Sequence, residues 1–329
     1  MWTCPPPLAS LSSLVAPPTL LDRHLVFVTG KGGAGKSTVT AALALLASRA
    51  GKRVLACEVN APQERLAPLL RAPAGEGLRE ARPGLHVLDV RPRAAMREYG
   101  LKVLRFQAVY HAVFENRLMQ YFLRAIPSLS ELVVLGKILH EARSLEPGGR
   151  PRWDLVLVDA PATGHALQLL RVPSALLDTL PGGPVRRDAE WMARMLVDPV
   201  RTAVAIVTLP EELPVNEAIE LDAEVGGVLG MARAALFVNA VPTSRSSPEE
   251  ARALSALAAA PPPLGPAARA AALAATRAER AGRQLARACD AIDAPATVLP
   301  LLPTAGWGPP EIEALAGAIA EGWARGEGG

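Results

Sequence analysis

The sequence predicts a doubly wound α/β fold: a mostly parallel sheet with helices on both faces and a helical insertion part-way along. Three observations carry that expectation. Seven short, β-branched apolar runs recur along the chain, separated by segments with helical spacing. Near-continuous apolar runs of this kind belong to strands buried on both faces. The first run passes directly into a glycine-rich loop and then an alanine-rich helix from Val39 to about Arg49, and a later run ends on a carboxylate, Asp159. In an open parallel sheet, ligands sit beyond the carboxyl ends of the strands.

Taken in order, residues 1–22 are rich in Pro, Ser and Leu and read as a disordered leader. They lack the basic start and the long apolar core of a signal peptide. Residues 23–325 read as one domain. Its strands are expected at Leu25–Thr29, Arg53–Val59, Leu85–Val90, Leu155–Val158, Ala203–Val207, Ala234–Val238 and Thr297–Leu299. Residues 93–147 break the rhythm as a helical insertion. Phe106, Tyr110, Phe114, Leu118 and Phe122 recur at i+4, and Leu132, Leu135, Leu139 and Ala142 fit a second amphipathic helix after Pro127. Six of the thirteen aromatic residues lie between Tyr99 and Phe122, which makes this insertion a candidate partner or client surface as well as a packed helical unit. Residues 175–197, with Pro181-Gly182-Gly183-Pro184, form a second short excursion. Residues 248–288 read as Ala/Arg-rich helix around the Pro261-Pro262-Pro263 break.

Composition narrows the classes. Half of the 329 residues are hydrophobic, enough for a sizeable core, and the net charge is only +3. The arginines are scattered and no basic patch is interleaved with aromatics, so nucleic acid is not an expected partner. Cys4, Cys57 and Cys289 include no Cys-x-x-Cys pair, which argues against a zinc clasp and fits a reducing, cytoplasmic setting. No apolar run approaches the roughly 20 residues of a membrane-spanning helix.

Gly30-Lys31-Gly32-Gly33-Ala34-Gly35-Lys36-Ser37 fits G-x-x-x-x-G-K-[ST], in the strand–loop–helix context that the motif requires. Glycines let backbone N–H groups close around phosphate oxygens, and the helix N-terminus adds partial positive charge. Gly30, Lys31, Gly32, Gly33, Ala34, Gly35, Lys36, Ser37 and Thr38 are therefore the expected nucleotide-binding residues. Lys36 is expected on the β- and γ-phosphates of ATP and Ser37 on Mg²⁺. In Trp153-Asp154-Leu155-Val156-Leu157-Val158-Asp159 an apolar strand delivers Asp159 to the sheet edge, where it can hold Mg²⁺ through water.

The loop Lys31-Gly32-Gly33-Ala34-Gly35-Lys36-Ser37-Thr38 resembles the deviant Walker A loop of the MinD, ParA, nitrogenase iron protein and ArsA ATPases. The resemblance implies that Lys31 crosses to phosphates bound by a facing subunit. Asp159-Ala160-Pro161-Ala162-Thr163-Gly164-His165 resembles switch II of the ArsA/Get-type family, which includes arsenical-pump ATPases and targeting factors for tail-anchored membrane proteins. In that setting Gly164 is a hinge candidate and His165 a switch or interface residue. Pro210-Glu211-Glu212-Leu213-Pro214-Val215-Asn216-Glu217 resembles the family's segment after its fifth strand, and Phe237-Val238-Asn239 its Val-Val-Asn. The resemblance assigns adenine to Asn239, whose amide can meet both edges of that base.

Switch I departs from the pattern. Cys57-Glu58-Val59-Asn60-Ala61-Pro62-Gln63 places Asn60 where the family carries the aspartate that orients the attacking water. Asn60 can bond to water but cannot take its proton, so hydrolysis is slow or Glu58 substitutes. The arsenite cysteines of the pumps are missing, and the chain carries one ATPase unit. Within the family it looks most like short bacterial ArsA-like ATPases often encoded as pairs. The expected function is an Mg-ATP-dependent dimeric ATPase or ATP switch acting on an unknown protein client, with Lys31, Lys36, Glu58, Asn60 and Asp159 as its catalytic set. The partner is a second copy or a paralogous ArsA-like chain. A hydrolysis-deficient adaptor subunit regulating a paired ATPase, a tail-anchored-protein targeting factor and an arsenite pump ATPase are the alternatives.

Overall fold

A computed structural model describes residues 20–104, 129–243 and 246–326. The side chains of its first strand divide between two cores. In β1 (Leu25–Gly30), Leu25 and Phe27 enter one core while Val26 and Val28 enter the other, following the two-residue period of a strand. The alternation repeats in β2 (Val54–Val59) and β5 (Leu155–Ala162). There Leu55, Cys57, Val156 and Val158 join the first core, and Val54, Ala56, Leu155 and Leu157 the second. Burial on both faces is why these strands read as unbroken apolar runs.

With β3 (Leu78–Arg82), β4 (Leu85–Val90), β6 (Thr202–Thr208), β7 (Arg233–Val241) and β8 (Ala296–Pro300), the sheet runs β3-β4-β2-β5-β1-β6-β7-β8. Every neighbouring pair is parallel except β3 with β4. The seven expected strands are all present, with small differences at their ends. The eighth, β3, is a charged Leu-Arg-Glu-Ala-Arg segment at the sheet edge. It lacks the apolar run by which the others were recognised, because an edge strand is not buried on both faces.

The second core lies under α1 (Lys36–Arg49), the four-residue α2 (Leu66–Leu69) and α10 (Pro309–Gly326). The first core lies under α4 (Leu129–Ala142), α5 (Thr163–Thr179), α6 (Pro184–Val197), α7 (Glu212–Ala223) and α9 (Leu264–Ala291). Two further helices, α3 (Pro92–Leu104) and α8 (Pro248–Ala256), pack against α4 and α9 respectively.

Three boundaries differ from the sequence reading. Leu20 is fully buried in the second core, so residues 20–22 belong to the packed domain and not to a leader. The helix expected after Pro127 is α4, and its Leu132, Leu135, Leu139 and Ala142 sit in the first core beside the sheet, not in a separate helical unit. Phe106, Tyr110, Phe114, Leu118 and Phe122 lie outside the described residues. The excursion at 175–197 is the end of α5 followed by α6, with Pro184 at the first helical turn, where a missing N–H costs no bond.

Candidate functional site

The site begins where β1 gives out. Gly30 has φ 149°, and a Cβ there would stand 2.0 Å from the Val207 carbonyl oxygen on β6. Only glycine lets the chain leave the sheet at this point. Gly35 caps α1 with φ 93°, and a Cβ on it would meet Asn239 Nδ2 at 2.1 Å. Asn239 is 7% exposed, and its Nδ2 donates to the Ala34 carbonyl at 2.9 Å. The loop is thereby pinned to the end of β7. Thr38 Oγ1 donates to the Gly35 carbonyl at 2.7 Å, and Lys36 Nζ to the Lys31 carbonyl at 3.2 Å. Burial holds the Lys36 ammonium below its ordinary pKa, opposed by the attraction of Asp159.

Beside the loop stands a row of carboxylates. Glu58 pairs in register with Asp159 across β2 and β5, and with Asp89 across β2 and β4. Their strand neighbours Cys57, Val158, Leu88 and Val90 all face the first core, so the three carboxylates face the α1 side. Ser37 Oγ donates to Asp159 Oδ2 at 2.6 Å, while Asp159 Oδ1 is buried without a hydrogen-bond partner. Burial raises the Asp159 carboxyl to about 6, against the Ser37 bond and the charges of Lys36 and Arg65. Burial likewise lifts Glu58 to about 7, countered by the Arg65 N–H, with Asp159 and Asp89 adding repulsion. Both Glu58 oxygens accept from the backbone N–H of Arg65 at 3.0 Å, and Oε2 also accepts from Leu66 N–H at 3.4 Å.

A hydroxyl and an orphaned carboxylate oxygen, both hard donors, meet at the mouth of the loop. That donor set suits Mg²⁺, which takes few protein ligands and keeps phosphate oxygens and waters for the rest.

The family described as anion-transporting ATPase matches residues 23–181. ATPase BagA of Mycobacterium tuberculosis (strain ATCC 25618 / H37Rv) is 34% identical over 215 residues, covering 64% of this chain and 63% of that protein. The arsenical pump-driving ATPase of Escherichia coli is 30% identical over 221 residues, covering 67% of this chain and 35% of that protein. ATPase get3 of Schizosaccharomyces japonicus is 30% identical over 156 residues, covering 46% of this chain and 44% of that protein. Over residues 23–181 the chain matches the ArsA/Get-type ATPase family. It spans less than two thirds of the length of these relatives.

Among the residues expected from family resemblance, Lys31 is engaged within the chain. Its ammonium pairs with Glu217 on α7 of the same chain. Asn60 is exposed just past β2 with φ 46°, its N–H donating to the Val90 carbonyl at 3.1 Å. The segment read as switch II lies at the junction of β5 and α5. β5 ends at Ala162, α5 starts at Thr163, and Gly164 has open space beside it. His165 is exposed, 3.3 Å from Gln168. Thr29 Oγ1 donates to the Pro161 carbonyl at 3.3 Å, tying β1 to this segment.

Sequence reasoning missed Asp89, Arg65 and the role of Glu217. The carboxylate of Asp89 sits near the carboxyl end of an apolar run, as Asp159 does, so the same signal could have found it. Arg65 had no motif to mark it. Glu217 was noticed within its segment, but its partner lies 186 residues away.

Proposed function

We propose that this chain is an Mg-ATP-dependent ATPase or ATP switch that closes as a dimer and couples nucleotide turnover to a conformational change in an unknown client. The observation that carries the reading is the Ser37–Asp159 hydrogen bond, with Asp159 Oδ1 left unpartnered at the mouth of the glycine loop. Lys36 would neutralise the β- and γ-phosphates. Ser37 would ligate Mg²⁺ and Asp159 would hold it through water. When bound, the ion would offset charge on the phosphoryl oxygens, the main demand of phosphoryl transfer. Asn239 would keep the loop in shape through Ala34 and turn its remaining amide groups to adenine. Gly164, at the first turn of α5, would let switch II follow the γ-phosphate. Lys31 would leave Glu217 to reach a facing subunit, either a second copy or a paralogous ArsA-like chain.

A second reading, a hydrolysis-deficient adaptor for a paired ATPase, draws support from switch I. Asn60 has no acidic group, and Glu58 is already engaged by backbone N–H groups. The pump reading takes its support from the name of the Escherichia coli relative. It is disfavoured here because Cys57 is buried in the first core on the far side of β2 and its thiol is pushed up by burial. The Cys289 thiol is pushed up to about 11, also by burial. The targeting reading is disfavoured because Met192 and Met195 pack into or against the first core instead of lining a client groove.

Calorimetry with Mg-ATP tests the main reading. Lys36→Ala should lose at least tenfold in affinity through an uncompensated phosphate charge, and unchanged binding would sink the assignment. Steady-state assay of the unmodified protein separates the two leading readings: turnover supports the ATPase, and binding without turnover supports the adaptor.

A further inference from the structure

Several cations near the carboxyl edge of the sheet are matched with carboxylates, whereas Lys36 of the glycine loop bonds only to a backbone carbonyl. Lys31 pairs with Glu217, Arg91 with Asp89, and Arg79 with Glu64. Arg65 is exposed, and among the described residues its guanidinium has no carboxylate partner. Yet its position is tightly held. Both oxygens of Glu58 take its backbone N–H at 3.0 Å, and the preceding residue, Glu64, is anchored to the largely buried Arg79 at 3.0 Å.

That anchoring sets Arg65 beside the phosphate cradle. Glu58 stands in register with Asp159, and Asp159 is bonded to Ser37 of the glycine loop at 2.6 Å. The charge of Arg65 reaches both groups of the cradle: it adds to the burial that lowers the pKa of Lys36, and it opposes the burial that raises that of Asp159. An exposed guanidinium whose backbone is held on the loop after β2, and whose charge is felt at the P-loop lysine, is free to take an anion.

Resting on the nucleotide reading above, we infer that Arg65 is a catalytic residue of this site, a guanidinium supplied in cis to the γ-phosphate of the bound nucleoside triphosphate, with Glu58 as its positioning residue. The planar fork of arginine matches two phosphoryl oxygens at once, and arginines in this role stabilise charge in the transition state. The inference gives Glu58 a use that does not need it to be a base. The γ-phosphate is the chosen anion because the loop N–H groups serve the phosphates nearer the base, which leaves Lys36 to share the terminal phosphoryl charge with a second cation.

The discriminating measurement is the ratio of affinities for Mg-AMP-PNP and Mg-ADP, taken by calorimetry on the full chain. Arg65→Ala should weaken AMP-PNP binding about tenfold or more while leaving ADP within twofold, since only AMP-PNP carries the third phosphoryl group. Arg65→Lys should recover part of the loss. Glu58→Ala, which frees the Arg65 backbone, should reproduce the selective loss with the guanidinium intact. Because Arg65 is exposed, its variants should keep the wild-type thermal unfolding curve. Equal loss of both nucleotides would make Arg65 a general phosphate or structural contact and overturn the inference. So would an Arg65→Ala protein with an unchanged ratio, in which case the nucleotide reading stands alone. A wild type that binds neither nucleotide overturns both.

Discussion

Glu58 shows how one side chain can carry conflicting demands. It is 2% exposed, faces two other carboxylates, and is partly satisfied by two backbone N–H groups. Burial wins, and its pKa rises from 4.5 to about 7. The folded chain therefore binds this proton more tightly than the unfolded one. The stability this provides is fully present below pH 4.5 and is lost as pH rises toward about 7. Asp159 has the same sign, over the window from 3.8 to about 6. Nucleotide-free wild type should thus lose about 2–3 kcal/mol relative to Glu58→Gln between pH 5 and pH 8. Urea unfolding at several pH values measures it, and parallel stability curves for the two proteins would refute the burial argument.

At the level of elements, the glycine loop is held from three sides: by β6 under Gly30, by β7 through Asn239, and by α7 through Lys31 and Glu217. The first two contacts are buried backbone or amide contacts. The third is a half-exposed ion pair, with side chains 27% and 33% exposed. Such pairs are worth about 0–1 kcal/mol, so this one can be exchanged for a better partner at little cost. If Lys31 does cross to a facing subunit, Glu217 competes for it. Glu217→Ala should then leave Mg-ATP affinity unchanged and strengthen AMP-PNP-dependent association up to about fivefold per protomer. Lys31→Ala should abolish association while nucleotide still binds. Light scattering reads both, and association that survives Lys31→Ala would make this lysine a loop residue only.

Across the whole molecule, the two cores are continuous from one sheet edge toward the other, and α4 is part of the first. Leu135 on α4 is fully buried beside the sheet. Leu135→Ala should lower global stability by about 2–5 kcal/mol through lost burial and a residual cavity, in one cooperative unfolding transition. A separate early transition, with the sheet unaffected, would show instead that the insertion folds as its own unit. Among the described residues, no helix is long and apolar enough to cross a membrane.

The sequence by itself determined what is local. The glycines of the loop, the lysine and serine that follow, and the seven apolar strands are all legible within a few neighbours, because backbone freedom, charge spacing and burial on both faces leave marks in short windows. The edge strand β3 left no such mark, being only partly buried. What the tertiary structure decided is which distant segments became neighbours. Asn239 reaches Ala34 across 205 residues, Ser37 reaches Asp159 across 122, and Lys31 reaches Glu217 across 186. The alignment of Asp89, Glu58 and Asp159, and with it the placement of Arg65, follows from β2 lying between β4 and β5 in a parallel register. That order is set by hydrogen bonding between strands and by packing on two faces, neither of which can be read along a single segment of chain.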